Sequence, residues 1–244
     1  MKNDDDLLAS MSHELRTPLN AILGWVQLLR AGEGCGADVD RALEIIERNA
    51  KQQAKAVDDA IDLARIANGS LPMMRKSTRW SEGLRAALAG NETSAAARGV
   101  HIEVEDSDTA LRVVGDPGRL TQIARGLIAS AVKRSIPGGT VRVSLGVEGS
   151  SAVLSVSEDH GAARGPEIGA AARNTGRHRR IALIGDGRGL GVSVARGLLR
   201  LHGGTLEEDD GHTLVARIPL AGSADARSEA SGNAPSGAAP APAM

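Results

Sequence analysis

Residues 8–29 read LASMSHELRTPLNAILGWVQLL, and the spacing of their apolar side chains decides the first part of the fold. Leu8, Met11, Leu15, Leu19, Ile22, Val26 and Leu29 follow one another at intervals of three or four residues. A helix completes a turn in about 3.6 residues, so these side chains form one stripe, as in a helix that buries a seam. Gly32, Gly34 and Gly36 interrupt the pattern, and Asp38 is placed to cap a second helix. Val39, Leu43, Ile46, Ala50, Val57, Ile61 and Ala64 then carry a similar stripe as far as Asn68-Gly69, a common helix stop. Each helix should be about 40 Å long, with one apolar stripe and little in the hairpin to cover it. Two copies of the hairpin would bury both stripes in a four-helix bundle, so the expected state is a homodimer.

Beyond Pro72 the pattern changes to mixed α and β. Helix-like stretches at 80–98 and 119–134 alternate with strand-like stretches at 101–105, 140–147 and 152–157; a further helix follows Gly191, and residues 213–220 read as a last strand. That order suits a sheet with helices on one face, giving an α+β chain overall. From about Ala221 the residues are almost all Ala, Ser, Gly and Pro with a few charges, the composition of a disordered tail. The expected division is therefore 1–70, 71–220 and 221–244.

Composition narrows the function. With 29 Lys and Arg against 30 Asp and Glu, no positive excess recommends nucleic acid or an anionic membrane. The single cysteine, Cys35, excludes an intramolecular disulfide, and neither it nor the scattered histidines His101, His160, His178, His202 and His212 has metal-ligand spacing. No long apolar run is present and the start MKNDDD lacks the basic flank of a secretory signal, so the expectation is a soluble, cytoplasmic protein with no membrane segment.

The segment SHELRTPLN at 12–20 resembles the phosphoacceptor box of two-component histidine kinases, in which a helix histidine receives the γ-phosphoryl group of ATP. The resemblance implies His13 as phosphoacceptor and a response-regulator receiver domain as partner. The residue chemistry agrees. His13 lies between Met11 and Leu15 of the seam, so its ring should point away from the bundle axis. An imidazole with an ordinary pKa near 6.5 offers an unprotonated nitrogen at neutral pH. Glu14 can accept a proton from the other ring nitrogen, and Thr17, four residues on, can orient a water that attacks phosphohistidine. Pro18 removes a helix hydrogen bond just beyond the histidine and should bend the helix there.

Residues 72–220 resemble the ATP-binding domain of the same kinases. GDPGRLTQ at 115–122 looks like the lead-in to its N box, DHGAA at 159–163 like its first glycine box, GRGLGVS at 187–193 like its second, and LHGGT at 201–205 like the segment that follows. By that resemblance Asp159 accepts a hydrogen bond from the adenine amino group, Gly161 lets the base approach the backbone, and Gly187, Gly189 and Gly191 precede a phosphate-binding helix end. Lys133 meets a phosphate, and Thr213 on the last strand also belongs to the nucleotide site. The departures matter as much. The family's two N-box asparagines, the second of which helps to hold Mg²⁺, fall at Gly126 and Ser130, so Ser130 would have to act as the metal ligand. Ala163 replaces a glycine, Arg134 replaces an aromatic residue, the phenylalanine-rich box is missing, and the stretch from Asp159 to Gly187 is short for the family's lid. Asparagines restored at 126 and 130 should accordingly restore Mg²⁺-dependent nucleotide binding.

Two readings follow. One is an ATP-dependent kinase that phosphorylates itself on His13 and passes the group to an aspartate of a response regulator. The other is a pseudokinase, or a phosphotransfer and scaffold protein, that acts on a response regulator without using ATP. A third takes IALIGDGRGLG at 181–191 as a loosened dinucleotide-binding turn, without the repeated βαβ units that such a fold requires.

Overall fold

A computed structural model describes residues 2–31, 37–107, 111–158 and 189–221. The hairpin is built from α1 (Lys2–Arg30) and α2 (Ala37–Ala67). Asp38 stands inside the first turn of α2 rather than before it, where its charge still suits the positive end of the helix. Gly69 closes α2 as expected: its φ is +63°, and the amides of Gly69 and Ser70 donate to the carbonyls of Ile66 and Arg65. The loop at 32–36 lies outside the described residues. Helix α1 runs without a break through Pro18, which is buried.

The expected single seam divides in two. Pro18 of α1 and Ala42 and Ala56 of α2 are buried where the helices meet, whereas Leu19 (45% exposed), Leu23 (50%), Leu43 (52%), Val57 (43%) and Ile61 (44%) are open. Within the hairpin each helix has one helical neighbour, so the hairpin itself covers only one edge of each stripe.

The second unit is a five-stranded sheet in the order β2-β4-β5-β7-β6, formed by β2 (His101–Ser107), β4 (Thr140–Glu148), β5 (Ser151–Glu158), β6 (Thr205–Asp209) and β7 (Thr213–Pro219). β2 and β4 pair in parallel and the other pairs are antiparallel. Helices α3 (Trp80–Ala97), α4 (Pro117–Arg134) and α5 (Leu190–Leu201) pack on the sheet and on one another. Their inner faces meet the alternating side chains of the strands in one core, where Trp80, Leu84, Ile123, Leu127, Leu154 and Leu198 are almost completely enclosed. A separate antiparallel ribbon joins β1 (Lys76–Arg79) to β3 (Arg112–Gly115). The residues from 222 onward, including nearly all of the expected tail, lie outside the described residues.

Candidate functional site

Helix α4 starts at an interlock between two of the motifs. Asp116 Oδ1 accepts hydrogen bonds from the amides of Gly118 (2.9 Å) and Arg119 (3.1 Å), and its Oδ2 accepts from the amide of Met74 (2.9 Å). Desolvation pushes this carboxyl up, but the three backbone donors outweigh it and hold it below the ordinary aspartate value. The Asp116 amide donates to His202 Nε2 (3.2 Å), and the buried ring donates from Nδ1 to the Leu198 carbonyl (2.7 Å). Gly115 is required here, because a Cβ at that position would stand 2.6 Å from His202 Cδ2. The 115–122 and 201–205 motifs thus fasten the start of α4 to the end of α5.

One turn after another, α4 presents Gln122, Gly126, Ser130 and Lys133 along the side that faces α5 and the hairpin. Gly126 touches backbone: a Cβ there would lie 2.6 Å from the Gly191 carbonyl oxygen. The first turn of α5 therefore fills the space that an N-box side chain would need at position 126. Ser130, one turn on, is buried, and Lys133 is exposed near the end of the helix. Neither position carries the family's carboxamide, so these residues do not fit the Mg²⁺ site that the resemblance implies.

Gly189 adopts φ +95° and precedes α5, the positive-φ turn that a glycine allows. The first amide of α5, on Leu190, donates to Glu14 Oε2 at 3.0 Å, and Lys133 Nζ lies 3.5 Å from Glu14 Oε1. A Cβ on Gly189 would run into the same carboxylate. Glu14, the expected proton acceptor for the His13 ring, directs its carboxylate to the start of α5. His13 is exposed, as expected, and the Thr17 hydroxyl donates to the His13 carbonyl (2.9 Å). Thr213 stands on β7 opposite Ser157, at the end of the sheet where β5 leads toward position 159. Asp159, Gly161 and Gly187, like the turn at 181–188, lie outside the described residues.

Several residues at this junction were not anticipated. Asp62 of α2 accepts from Arg119 Nη1 (2.7 Å) and Gln122 Nε2 (2.8 Å), while Arg119 Nη1 also donates to Gln122 Oε1 (2.8 Å). This clamp ties the hairpin to α4. Lys55 pairs with Asp59 at 2.5 Å, and both line a cavity of about 410 Å³ with Gln122, Arg125, Gly126 and Gly191. Burial pushes the Asp59 carboxyl above its ordinary value despite Lys55, and the nearby Asp62 and Glu14 add to the rise. At the far end of α4, Arg134 Nε meets Glu158 Oε1 at 2.6 Å, with the Glu158 side chain wholly enclosed. Arg134, noted only as a missing aromatic, thus forms an ion pair beside the strand that leads to Asp159. Arg119 and Gln122 lie within a recognisable motif, but no pattern links them to an aspartate 57 and 60 residues away in the chain.

The fold and these motifs define a phosphoacceptor hairpin joined to an ATPase-type sandwich. The family description "His Kinase A (phospho-acceptor) domain" matches residues 4–69, and "Histidine kinase-, DNA gyrase B-, and HSP90-like ATPase" matches residues 115–222. Sensor protein DivL of Caulobacter vibrioides is 30% identical over 222 residues, covering 88% of this chain and 28% of the relative. The Acinetobacter baumannii histidine kinase AdeS shares the fold, with a TM-score of 0.60 at 20% identity over 85% of this chain and 98% of that one. Histidine kinase ThkA, solved in complex with the response regulator TrrA, does so with a TM-score of 0.56 at 17% identity over 88% of this chain and 61% of that one. The chain belongs to the two-component sensor histidine kinases, and it spans less than a third of the length of DivL. Among the described residues, no helix is long and apolar enough to cross a membrane.

Proposed function

We propose that this chain is the phosphotransfer core of its kinase: an ATP-dependent autokinase on His13 that serves a response-regulator receiver domain, working as a homodimer. The observation that carries this reading is the convergence, at one junction, of the phosphoacceptor helix with Lys133 of α4 and the glycine-flanked start of α5. In this reading His13 attacks the γ-phosphorus through an unprotonated ring nitrogen, and the bond to the leaving ADP oxygen breaks. Lys133 and the amides at the start of α5 neutralise phosphate charge. Asp159 and Gly161 hold the adenine, Gly187, Gly189 and Gly191 shape the phosphate turn, and Thr213 belongs to the same pocket. Glu14 turns toward His13 for proton transfer when the helix leaves its present contact, and Thr17 orients water for dephosphorylation of the partner. Neither Gly126 nor Ser130 offers the carboxamide that the family's metal site uses, so no step is assigned to Mg²⁺. The units are 1–70, 71–220 and the tail at 221–244.

One observation favours the second reading, a core that relays or scaffolds phosphate without turning over ATP. The backbone of Gly191 occupies the space beside Gly126 where the family has an asparagine. Incubation with γ-labelled ATP and Mg²⁺ separates the two. Acid-labile label that disappears in His13→Ala is the outcome expected of the autokinase. If the wild-type chain takes no label from ATP but takes it on His13 from a phosphorylated receiver, the relay reading replaces it; acid-stable label would sink both.

A further inference from the structure

Helix α5 begins with backbone amides that have no partner inside the helix, and such an end attracts an anion. Here the anion is a side chain of the same chain. Glu14 reaches from α1 and accepts the Leu190 amide at 3.0 Å, its other oxygen faces Lys133 Nζ at 3.5 Å, and its side chain is only 23% exposed. The arrangement is held from elsewhere as well. Asp62 is bound by Arg119 and Gln122, and Ile66 packs so closely on α5 that a Cβ at Gly197 would lie 3.0 Å from its side chain.

We propose that Glu14 is an autoinhibitory latch, standing in for a nucleotide phosphate and holding the hairpin docked on the ATP-binding unit. The reasoning is one of exclusion. An amide hydrogen that points at a carboxylate oxygen at 3.0 Å is not offered to a phosphate oxygen, and a phosphate placed against Glu14 would set two anions in contact. ATP and the docked hairpin therefore compete for Leu190 and Lys133. Binding of nucleotide expels Glu14, and the same movement returns the carboxylate to the neighbourhood of His13. The Asp62 clamp sets how strongly ATP must compete, although it touches neither the latch nor the amide. This inference rests on the nucleotide reading given above, and its test separates the two.

The experiment measures hydrogen exchange at the Leu190 amide and calorimetric affinity for ATP, with and without Mg²⁺, in the full chain and in Glu14→Ala and Asp62→Asn. In both variants the amide should exchange faster and ATP should bind about tenfold more tightly, equivalent to about 1.4 kcal/mol. Asp62→Asn is the more telling of the two, since it changes no group at the phosphate end. Unchanged exchange at Leu190 in Glu14→Ala, which removes the acceptor that glutamine would keep, would overturn the latch. Faster exchange without a gain in ATP affinity in either variant would overturn the competition. If no form binds ATP, the autokinase reading fails and takes the competition with it, while exchange alone still reports whether Glu14 caps α5.

Discussion

His202 joins two helices through the two nitrogens of one ring, and it can do so in only one protonation state. Nδ1 must carry a hydrogen to donate to the Leu198 carbonyl, and Nε2 must be bare to accept from the Asp116 amide. Burial accordingly pushes the imidazole below its ordinary value of 6.5, with the Leu198 carbonyl and the Asp116 charge pulling the other way and Arg75 adding to the fall. A histidine with a depressed folded pKa contributes stability that is complete above the unfolded value, near 6.5, and is lost as the pH falls through the folded one. The stability gap between the wild type and His202→Ala should be widest near neutral pH, at about 1–3 kcal/mol for a broken pair of buried hydrogen bonds, and should narrow in mild acid. Chemical denaturation at a series of pH values would show it, and a gap independent of pH would remove the argument. Asp59 is shifted upward, chiefly by burial, so its surroundings disfavour its charged form.

At the level of helices, the contact between Gly126 and Gly191 decides how closely α4 and α5 approach. Asparagine at 126 gains a few tenths of a kcal/mol in helix propensity over glycine, but it must displace a carbonyl 2.6 Å from its Cβ, and overpacking of this kind costs about 1–3 kcal/mol. Gly126→Asn is therefore expected to lower the denaturation midpoint, the reverse of the benefit that motif comparison suggests. Ser130→Asn, by contrast, remains the change by which to seek Mg²⁺-dependent binding. A fully stable Gly126→Asn protein would mean that the helices part easily. The elements legible in the sequence were those with enough length to show a period, namely α1 to α5 and β2, β4, β5 and β7. Strands β1, β3 and β6 were not, because KSTR, RVVG and TLEED are short, and the first and last largely polar; β1 and β3 each find their partner more than thirty residues away. For the same reason His13, Glu14 and Thr17 could be named from their order along one helix, while the turn of Glu14 away from His13 depends on a contact 176 residues distant.

For the whole molecule, the open edges of the hairpin carry the prediction. Leu19, Leu23, Leu43, Val57 and Ile61 are each at least 43% exposed, apolar side chains of the kind that a second copy buries in a four-helix bundle. Residues 1–70 should sediment as a helical dimer, and Leu23→Lys combined with Ile61→Lys should yield a monomer of reduced helicity; a helical monomer for the unaltered fragment at micromolar concentration would refute the dimer. The sheet has a consequence of another kind. Strand β7 is the last among the described residues, yet it lies between β5 and β6. During synthesis the edge of β5 must wait, unpaired, until residues 213–219 have left the ribosome, and β6 has no strand to pair with until then, although β2, β4 and β5 are already joined. A message truncated before codon 213 would thus release not a slightly shortened domain but one with an open central strand, a template for clumping that the cell's quality control would have to clear.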